Sequence, residues 1–202
     1  MVLNKSDEDL EFNKIQNEIR SKTIVDKIRC YMLYQFAKQI EDLDGEVAEV
    51  GVYKGGTAKL ISKVLTKKQI YLFDTFEGMP EVDESKDKHK LGDFNDTTLE
   101  NTKEFLRDCN NVNFYKGLFP TTAKHMQDKK FCFVHVDADI YKSVLDCCVF
   151  FYDKLVIGAI VVFDDYGFPT CPGAKRAVDE FFENKKEQII YLQTGQCFII
   201  KL

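Results

Sequence analysis

Over residues 7–40 apolar positions return every three or four residues, as Ile28, Tyr31, Met32, Phe36 and Ile40 do in DKIRCYMLYQFAKQI. That spacing predicts helix. From residue 46 short apolar runs alternate with helical stretches. EVAEV (46–50) reads as a strand, TAKLISKVLTKK (57–68) as a helix and QIYLF (69–73) as a second strand. A polar loop follows from 75 to about 96. TLENTKEFLRDC (98–109) is then a helix, VNFYKG (112–117) a third strand, and FPTTAKHMQDK (119–129) a short helix. FCFVHVDA (131–138) is a fourth strand, YKSVLDCCVFFYDKL (141–155) a helix, GAIVVFDD (158–165) a fifth strand and GAKRAVDEFFENKK (173–186) a helix. Two closing strands, QIIYLQ (188–193) and QCFIIKL (196–202), flank Thr194-Gly195.

Strands separated by helices predict an α/β fold with a mostly parallel sheet and helices on both faces. The last two strands are joined by too short a turn for a parallel crossover, so the final strand is expected to run antiparallel. The chain divides into a helical lead over 1–44 and one α/β domain over 45–202. The apolar stripe Ile28, Met32 and Phe36 on the lead requires a covering surface, either the body of the same chain or a second subunit. Phe150, Phe151, Phe181 and Phe182 fall at helical spacing and are expected in the core.

Composition narrows the partners. A chain of 202 residues with 45% hydrophobic and 30% charged residues is an ordinary globular protein. A net charge of -5 argues against nucleic acid or an anionic membrane as partner. The polar, acidic start MVLNKSDEDLEFNKIQNE is no signal peptide, and no apolar run approaches the ~18 residues of a membrane span. The seven cysteines (30, 109, 132, 147, 148, 171 and 197) are odd in number, and several lie in apolar runs. They read as small buried hydrophobes in a reducing cytoplasm, and none of their spacings reads as a zinc site.

Chemistry gathers at the predicted carboxyl ends of the strands, where open α/β sheets bind ligands. The first strand runs into Glu49-Val50-Gly51 and then Gly55-Gly56, which fits neither a P-loop nor the G-x-G-x-x-G dinucleotide pattern. These glycines are open to two readings, a ligand loop or a tight turn. The second strand ends at Asp74, suited either to two ribose hydroxyls or to capping a turn. The fourth and fifth end at Asp137-Ala138-Asp139 and Asp164-Asp165. Asp137, Asp164 and Asp165 are placed to share one hard cation such as Mg²⁺, with turn capping as the alternative. Asp139, at a helix start, reads more naturally as a cap. His135 points to the same face of its strand as Asp137, either as a base or as a satisfied core histidine. His89 and His125 read as surface residues, while Tyr141 and Tyr166 either line an acceptor pocket or pack at its rim.

EVGVYKGGTA, FDTFEGMP, HVDADIYKS and VVFDDYG…PGAKRAVDEF, in this order over about residues 45–185, resemble the macrocin O-methyltransferase family of the TylF/MycF type. The resemblance implies a class I, Rossmann-like S-adenosylmethionine (SAM) methyltransferase acting on a hydroxylated small molecule, with Mg²⁺ as metal. It implies SAM contacts at Glu49, Val50, Gly51, Val52 and Tyr53, with the Glu49 carboxylate receiving the ligand's ammonium. The DTFEG stretch adds Asp74, Thr75, Phe76, Glu77 and Gly78, with Asp74 on the ribose. Gly92, Asp93 and Gly117 fall on the adenine side, Phe94 beside them. Asp137, Asp164 and Asp165 fall on the metal ligands, with Asp137 also the first candidate for general base. A sugar acceptor and a homo-oligomer are expected. The lead is shorter than in the macrolide enzymes, where it forms a lid, so acceptor contacts do not carry over. Two alternatives stand beside this reading. One is a catechol-type enzyme, disfavoured because such enzymes offer Asp-Asn where this chain has Asp164-Asp165. The other is a non-catalytic SAM-fold binding subunit, disfavoured by the intact acid set.

Overall fold

The computed structural model describes residues 5–202. The lead is a helical hairpin and not one continuous helix. A single turn, α1 (Lys5–Glu8), precedes α2 (Leu10–Ile19), and a loop over 20–26 separates it from α3 (Lys27–Gln39). Each longer helix starts at a capping aspartate. Asp9 accepts a hydrogen bond from the Phe12 amide at 2.9 Å, and Asp26 accepts from the Ile28 and Arg29 amides at 2.9 and 3.1 Å. These carboxylates satisfy amides that lack helical partners, which is why a new helix begins at residue 27.

The buried face of α3 also differs from the one its apolar spacing predicts. Cys30, Leu33, Tyr34 and Ala37 are buried, whereas Ile28 is 50% exposed. Helix α3 must pack at once against α2 and the helix after the first strand (Gly56–Val64), and the interior aromatic contacts run from Phe12 to Tyr31 and Tyr34. Phe36 finds its partner on the sheet, Phe198, with ring centroids 4.6 Å apart. Part of the expected stripe is therefore covered within the chain.

The remaining elements alternate: β1 (Glu46–Val50), α4 (Gly56–Val64), β2 (Ile70–Asp74), α5 (Leu99–Phe105), β3 (Val112–Lys116), β4 (Phe131–Val136), α6 (Tyr141–Phe151), β5 (Leu155–Phe163), α7 (Pro172–Phe182), β6 (Ile190–Tyr191) and β7 (Cys197–Ile200). Seven strands form one sheet in the order β3-β2-β1-β4-β5-β7-β6, with β7 antiparallel to both neighbours and the first five parallel. The segment 119–129 makes only a single 3-10 turn, Thr121–Ala123, and the sixth strand is just two residues long.

Side-chain alternation along the strands divides the core in two. Val47, Leu72, Phe133 and Val162 face α2, α3, α4 and α5 on one side. Ala48, Phe73, Val134 and Val161 face α6 and α7 on the other, where Phe151 and Phe182 are also buried. Strand order reverses between β1 and β4, so their carboxyl ends open a crevice at the sheet's switch point.

Candidate active site

The crevice is a cavity lined by Val50, Gly51, Val52, Tyr53, Asp74, Thr75, Gly78 and Gly117 at one end and by Asp137, Ala138, Asp139 and Asp165 at the other. Apolar walls come from Met79, Phe94, Leu118 and Phe119. The lead closes over it: Lys22, Thr23, Ile24, Val25 and Arg29 also line the cavity. Sequence pattern did not single out these lead residues, because nothing local marks a loop that will fold back over a sheet.

The glycines of the first loop are needed by the protein itself. A Cβ on Gly51 (φ +86°) would sit 1.7 Å from the Asp137 carbonyl oxygen, so only glycine lets the ends of β1 and β4 meet. A Cβ on Gly56 would sit 2.8 Å from the Lys22 carbonyl, which the Gly56 amide bonds at 3.0 Å. Here the tight-turn reading is realised in full, and the loop still presents Val50–Tyr53 to the cavity.

Asp74 organises that loop. One carboxylate oxygen accepts from the Val52 and Tyr53 amides at 2.6 and 2.9 Å, and the other from the Phe76 amide at 2.6 Å. The first oxygen is thereby saturated, and acceptor capacity remains on the second, on a residue that lines the cavity. A carboxylate beside apolar walls suits a ribose carrying a flat base.

Other candidates fall elsewhere. Phe76 is 2% exposed and belongs to the lead-side core, against Phe114. Glu77 and Gly92 line an adjoining hollow shared with Thr75, Gly78 and Gly117. Asp93 accepts from the Lys90 amide at 2.9 Å and faces His89 Nδ1 at 3.1 Å, while its carbonyl accepts from the Met79 amide. Among the described residues four non-glycine ones have left-handed backbone, Tyr53, Phe76, Phe94 and Asp139 (φ +52° to +63°), and three of them line the cavity. Such strain, ~1–3 kcal/mol per residue, concentrates at ligand sites.

Glu49 and Asp164 lie behind the cavity wall. Glu49 on β1 and His135 on β4 pair in register, and Asp164, just past the end of β5, extends them into a fully buried polar row. His135 Nδ1 lies 2.8 Å from Glu49 Oε1, and its Nε2 lies 3.6 Å from Asp164 Oδ1. Burial alone would lower the His135 pKa, but the Asp164 and Glu49 carboxylates outweigh it and raise it to about 10. His135 is fully buried, held between two carboxylates and absent from the cavity lining, which places it as a partner of Glu49 and Asp164 and not as an available base. Gln196 Nε2 donates to Asp164 Oδ1 at 2.7 Å, and the Arg29 guanidinium of the lead pairs with Asp164 Oδ2.

The three predicted metal ligands do converge. Carboxylate oxygens of Asp137, Asp164 and Asp165 lie within 4.8 Å of one another. Burial, then the Asp164 charge, pushes the Asp137 carboxyl well above its usual range. Burial and the charges of Asp139, Asp137 and Asp164 do the same at Asp165. Asp164 stays below the usual range because His135, Arg29 and Gln196 outweigh its burial. A cluster of all-oxygen donors short of positive charge fits a hard divalent cation. Asp139 belongs to the same rim: its amide donates to Asp165 Oδ2 at 3.0 Å, and burial raises its carboxyl. Tyr141 and Tyr166 do not line the cavity; their hydroxyls bond Glu180 and Asp179 on α7 at 2.6 and 2.7 Å.

Comparison with known proteins places the fold and family. The profile of the Macrocin-O-methyltransferase (TylF) family matches residues 15–192. Demethyldecarbamoylnovobiocin O-methyltransferase of Streptomyces niveus is 28% identical over 156 residues, which is 69% of this chain and 59% of that protein. A tetracenomycin-C 4'-O-methyltransferase of Streptomyces olivaceus, whose acceptor carries a dimethoxy-rhamnosyl group, is 27% identical over 66% of this chain and 58% of its own length. The chain thus spans less than two thirds of these curated relatives. Among solved structures, the O-methyltransferase NovP superposes with a TM-score of 0.76 at 22% identity, covering 89% of this chain and 82% of NovP. The calicheamicin methyltransferase CalS11 gives 0.76 at 16%, covering 99% and 95%. A Bacillus cereus O-methyltransferase in complex with SAH gives 0.65 at 12%, covering 100% and 93%. The sheet and its helices are those of the class I SAM methyltransferase fold.

Proposed function

This chain belongs to the macrocin-O-methyltransferase (TylF) family, and on that premise we propose that it transfers the methyl group of SAM to a hydroxyl of a sugar-bearing small molecule, assisted by Mg²⁺. The observation that carries the reading is the single cavity joining Asp74 and the 50–53 loop to Asp137, Asp139 and Asp165. A donor held at the first end and an acceptor at the second would meet in line, which a displacement at a sulfonium methyl requires. Asp74 is assigned to the ribose hydroxyls, Val50–Tyr53 to the methionine portion, and Glu77, Gly92, Asp93 and Gly117 to the adenine side. Glu49 acts at one remove, by holding His135.

Asp137, Asp164 and Asp165 would hold the cation. When bound, it lowers the pKa of the acceptor hydroxyl and offsets charge developing on that oxygen. The methyl carbon leaves sulfur for the hydroxyl oxygen, and the hydroxyl proton passes to a carboxylate. Asp137 is committed to the cation, which leaves Asp139, which lines the cavity, the better placed proton acceptor. Lead residues 22–25 and Arg29 support a lid role for residues 1–44.

No helix among the described residues is long and apolar enough to cross a membrane. Seven buried free thiols support a reducing cytoplasm. Family membership leaves a homo-oligomer as the expected assembly, which light scattering tests.

The main test measures methyl transfer from labelled SAM to a panel of glycosylated acceptors, alongside SAM binding. Chelator abolishes transfer, Mg²⁺ restores it, and SAM affinity hardly changes. Asp74→Ala weakens SAM by ~1.5–3 kcal/mol for bonds to a charged acceptor. Full activity in excess EDTA would remove the cation from the mechanism. SAM bound equally by parent and Asp74→Ala would remove the ribose assignment.

A further inference from the structure

A second cluster lies beside the aspartates and contains a thiol. His89 Nε2 is 3.5 Å from Cys171 Sγ, Cys171 Sγ is 3.6 Å from Asp139 Oδ1, and His89 Nε2 is 3.5 Å from Asp139 Oδ1. We propose that His89, Asp139 and Cys171 form a binding site for one transition-metal dication of the zinc type, separate in its donors from the three-aspartate cluster.

The triangle has the dimensions of a tetrahedral face. Zinc bonds of about 2.0–2.1 Å to nitrogen, 2.3 Å to sulfur and 2.0–2.2 Å to oxygen give ligand–ligand edges of about 3.3–3.6 Å. All three observed edges agree within a few tenths of an ångström, so an ion is accommodated with little rearrangement. The donor set also selects the metal: a thiolate and an imidazole favour zinc over Mg²⁺, which prefers oxygen alone. Thiolate and carboxylate together carry two negative charges, matching the dication. Binding releases the thiol proton to solvent.

The surroundings give an independent argument. His89 Nδ1 faces the Asp93 carboxylate at 3.1 Å, the arrangement that fixes a ligating histidine with its other nitrogen toward the metal. The loop carrying His89 is pinned on both sides. Asp87 accepts from the Tyr141 amide at 2.8 Å, and Lys88 Nζ donates to the Pro169 carbonyl at 2.7 Å. A Cβ on Gly173 would lie 1.9 Å from Asp87 Oδ1, so that glycine makes room for the pin. Cys171 is 4% exposed at the start of α7. An ion here would tie three rim segments together and compete for the Asp139 carboxylate that faces the cavity.

The inference is independent of methyl transfer, and its test uses no turnover. The metal-free full-length protein is titrated with Co²⁺ and then with Zn²⁺ against a chromophoric chelator. One equivalent of Co²⁺ should produce a thiolate-to-cobalt charge-transfer band in the near ultraviolet, and Zn²⁺ should bleach it. Cys171→Ser should abolish the band, while His89→Ala and Asp93→Asn should weaken Zn²⁺ about tenfold or more. Asp165→Asn, which removes a ligand of the other cluster, should keep the band. His89 sits on a loop, so its variants keep the test available if Cys171→Ser misfolds. No charge-transfer band, or Zn²⁺ affinity indifferent to the His89 and Asp93 changes, overturns the proposal and leaves any bound ion to the aspartate cluster.

Discussion

At the carboxyl ends of β1, β4 and β5, adjacent residues build two opposite surfaces. On the α6/α7 side Val50, Val136 and Phe163 are 4%, 1% and 2% exposed and form part of an apolar core. One residue away, on the lead side, Glu49, His135 and Asp164 are equally buried but ionisable. The apolar row stabilises in proportion to its buried area, and each member contributes nearly alone. Members of the polar row are tolerated only together, since a buried charge left unpaired is strongly destabilising. Even intact, the row is imperfect: Glu49 Oε2 and His135 Nε2 lack hydrogen-bond partners. Its return is geometric. It holds Asp164 beside Asp137 and Asp165, where Arg29 and Gln196 also bond it.

The largest effect should come from breaking the polar row in the middle. His135→Leu leaves the buried Glu49 and Asp164 carboxylates without the imidazole between them and should lower stability by about 3–5 kcal/mol in urea denaturation. Val136→Ala, its neighbour on the apolar side, should cost about 2 kcal/mol. If the leucine variant proves the more stable of the two, the row is not the charged network described here.

An ion pair outside the site tests whether burial itself sets the cost. Glu187 is 3% exposed and accepts from Lys201 Nζ at 2.8 Å and from the Tyr152 hydroxyl at 2.7 Å. Burial alone would raise its pKa, but the bonds from Lys201 and Tyr152 outweigh that and hold it at about 2. A depressed carboxylate stabilises fully above its unfolded pKa of about 4.3, and that stability is lost as pH falls through the folded value. Glu187→Gln should therefore cost about 2–3 kcal/mol at neutral pH. The gap between parent and variant should narrow as pH drops from about 4.5 toward 2. A gap that stays constant across that window would mean the pair contributes no pH-dependent stability.

Coupling within the row gives a smaller number. In a double-mutant cycle, Glu49→Gln and His135→Leu should be non-additive by about 1–3 kcal/mol, while Glu49→Gln and Val136→Ala should add more closely. Equal coupling in both cycles would erase the distinction between the two rows. The smallest effect belongs to an exposed pair. Lys142 and Asp146 lie 2.6 Å apart on α6 with the lysine 76% exposed, so Lys142→Ala should change stability by less than about 0.5 kcal/mol.

Much of the architecture was legible in the chain. The alternation of apolar runs and helical stretches gave the sheet and the antiparallel final strand, because both follow from periodicity and connection length. The acids closing β2, β4 and β5 were visible as strand-end residues, and the structure gathers Asp137, Asp164 and Asp165. The lead was less legible. Its hydrophobic spacing does not say which stripe turns inward, and a helix wedged against two others and the sheet buried the Cys30–Ala37 face. Glu49 was read toward a ligand because its place at the strand end was visible, while its direction depended on His135 opposite.

Sequence by itself determined the order of elements, the rim at which polar groups collect and the family, since each rests on spacing within a segment or on motifs in order. Tertiary structure alone decided which of those groups meet. Arg29 reaches Asp164 across 135 residues of chain, and Cys171 meets His89 across 82. No local spacing carries such contacts, because they depend on how the lead and the 75–96 loop fold back over the sheet.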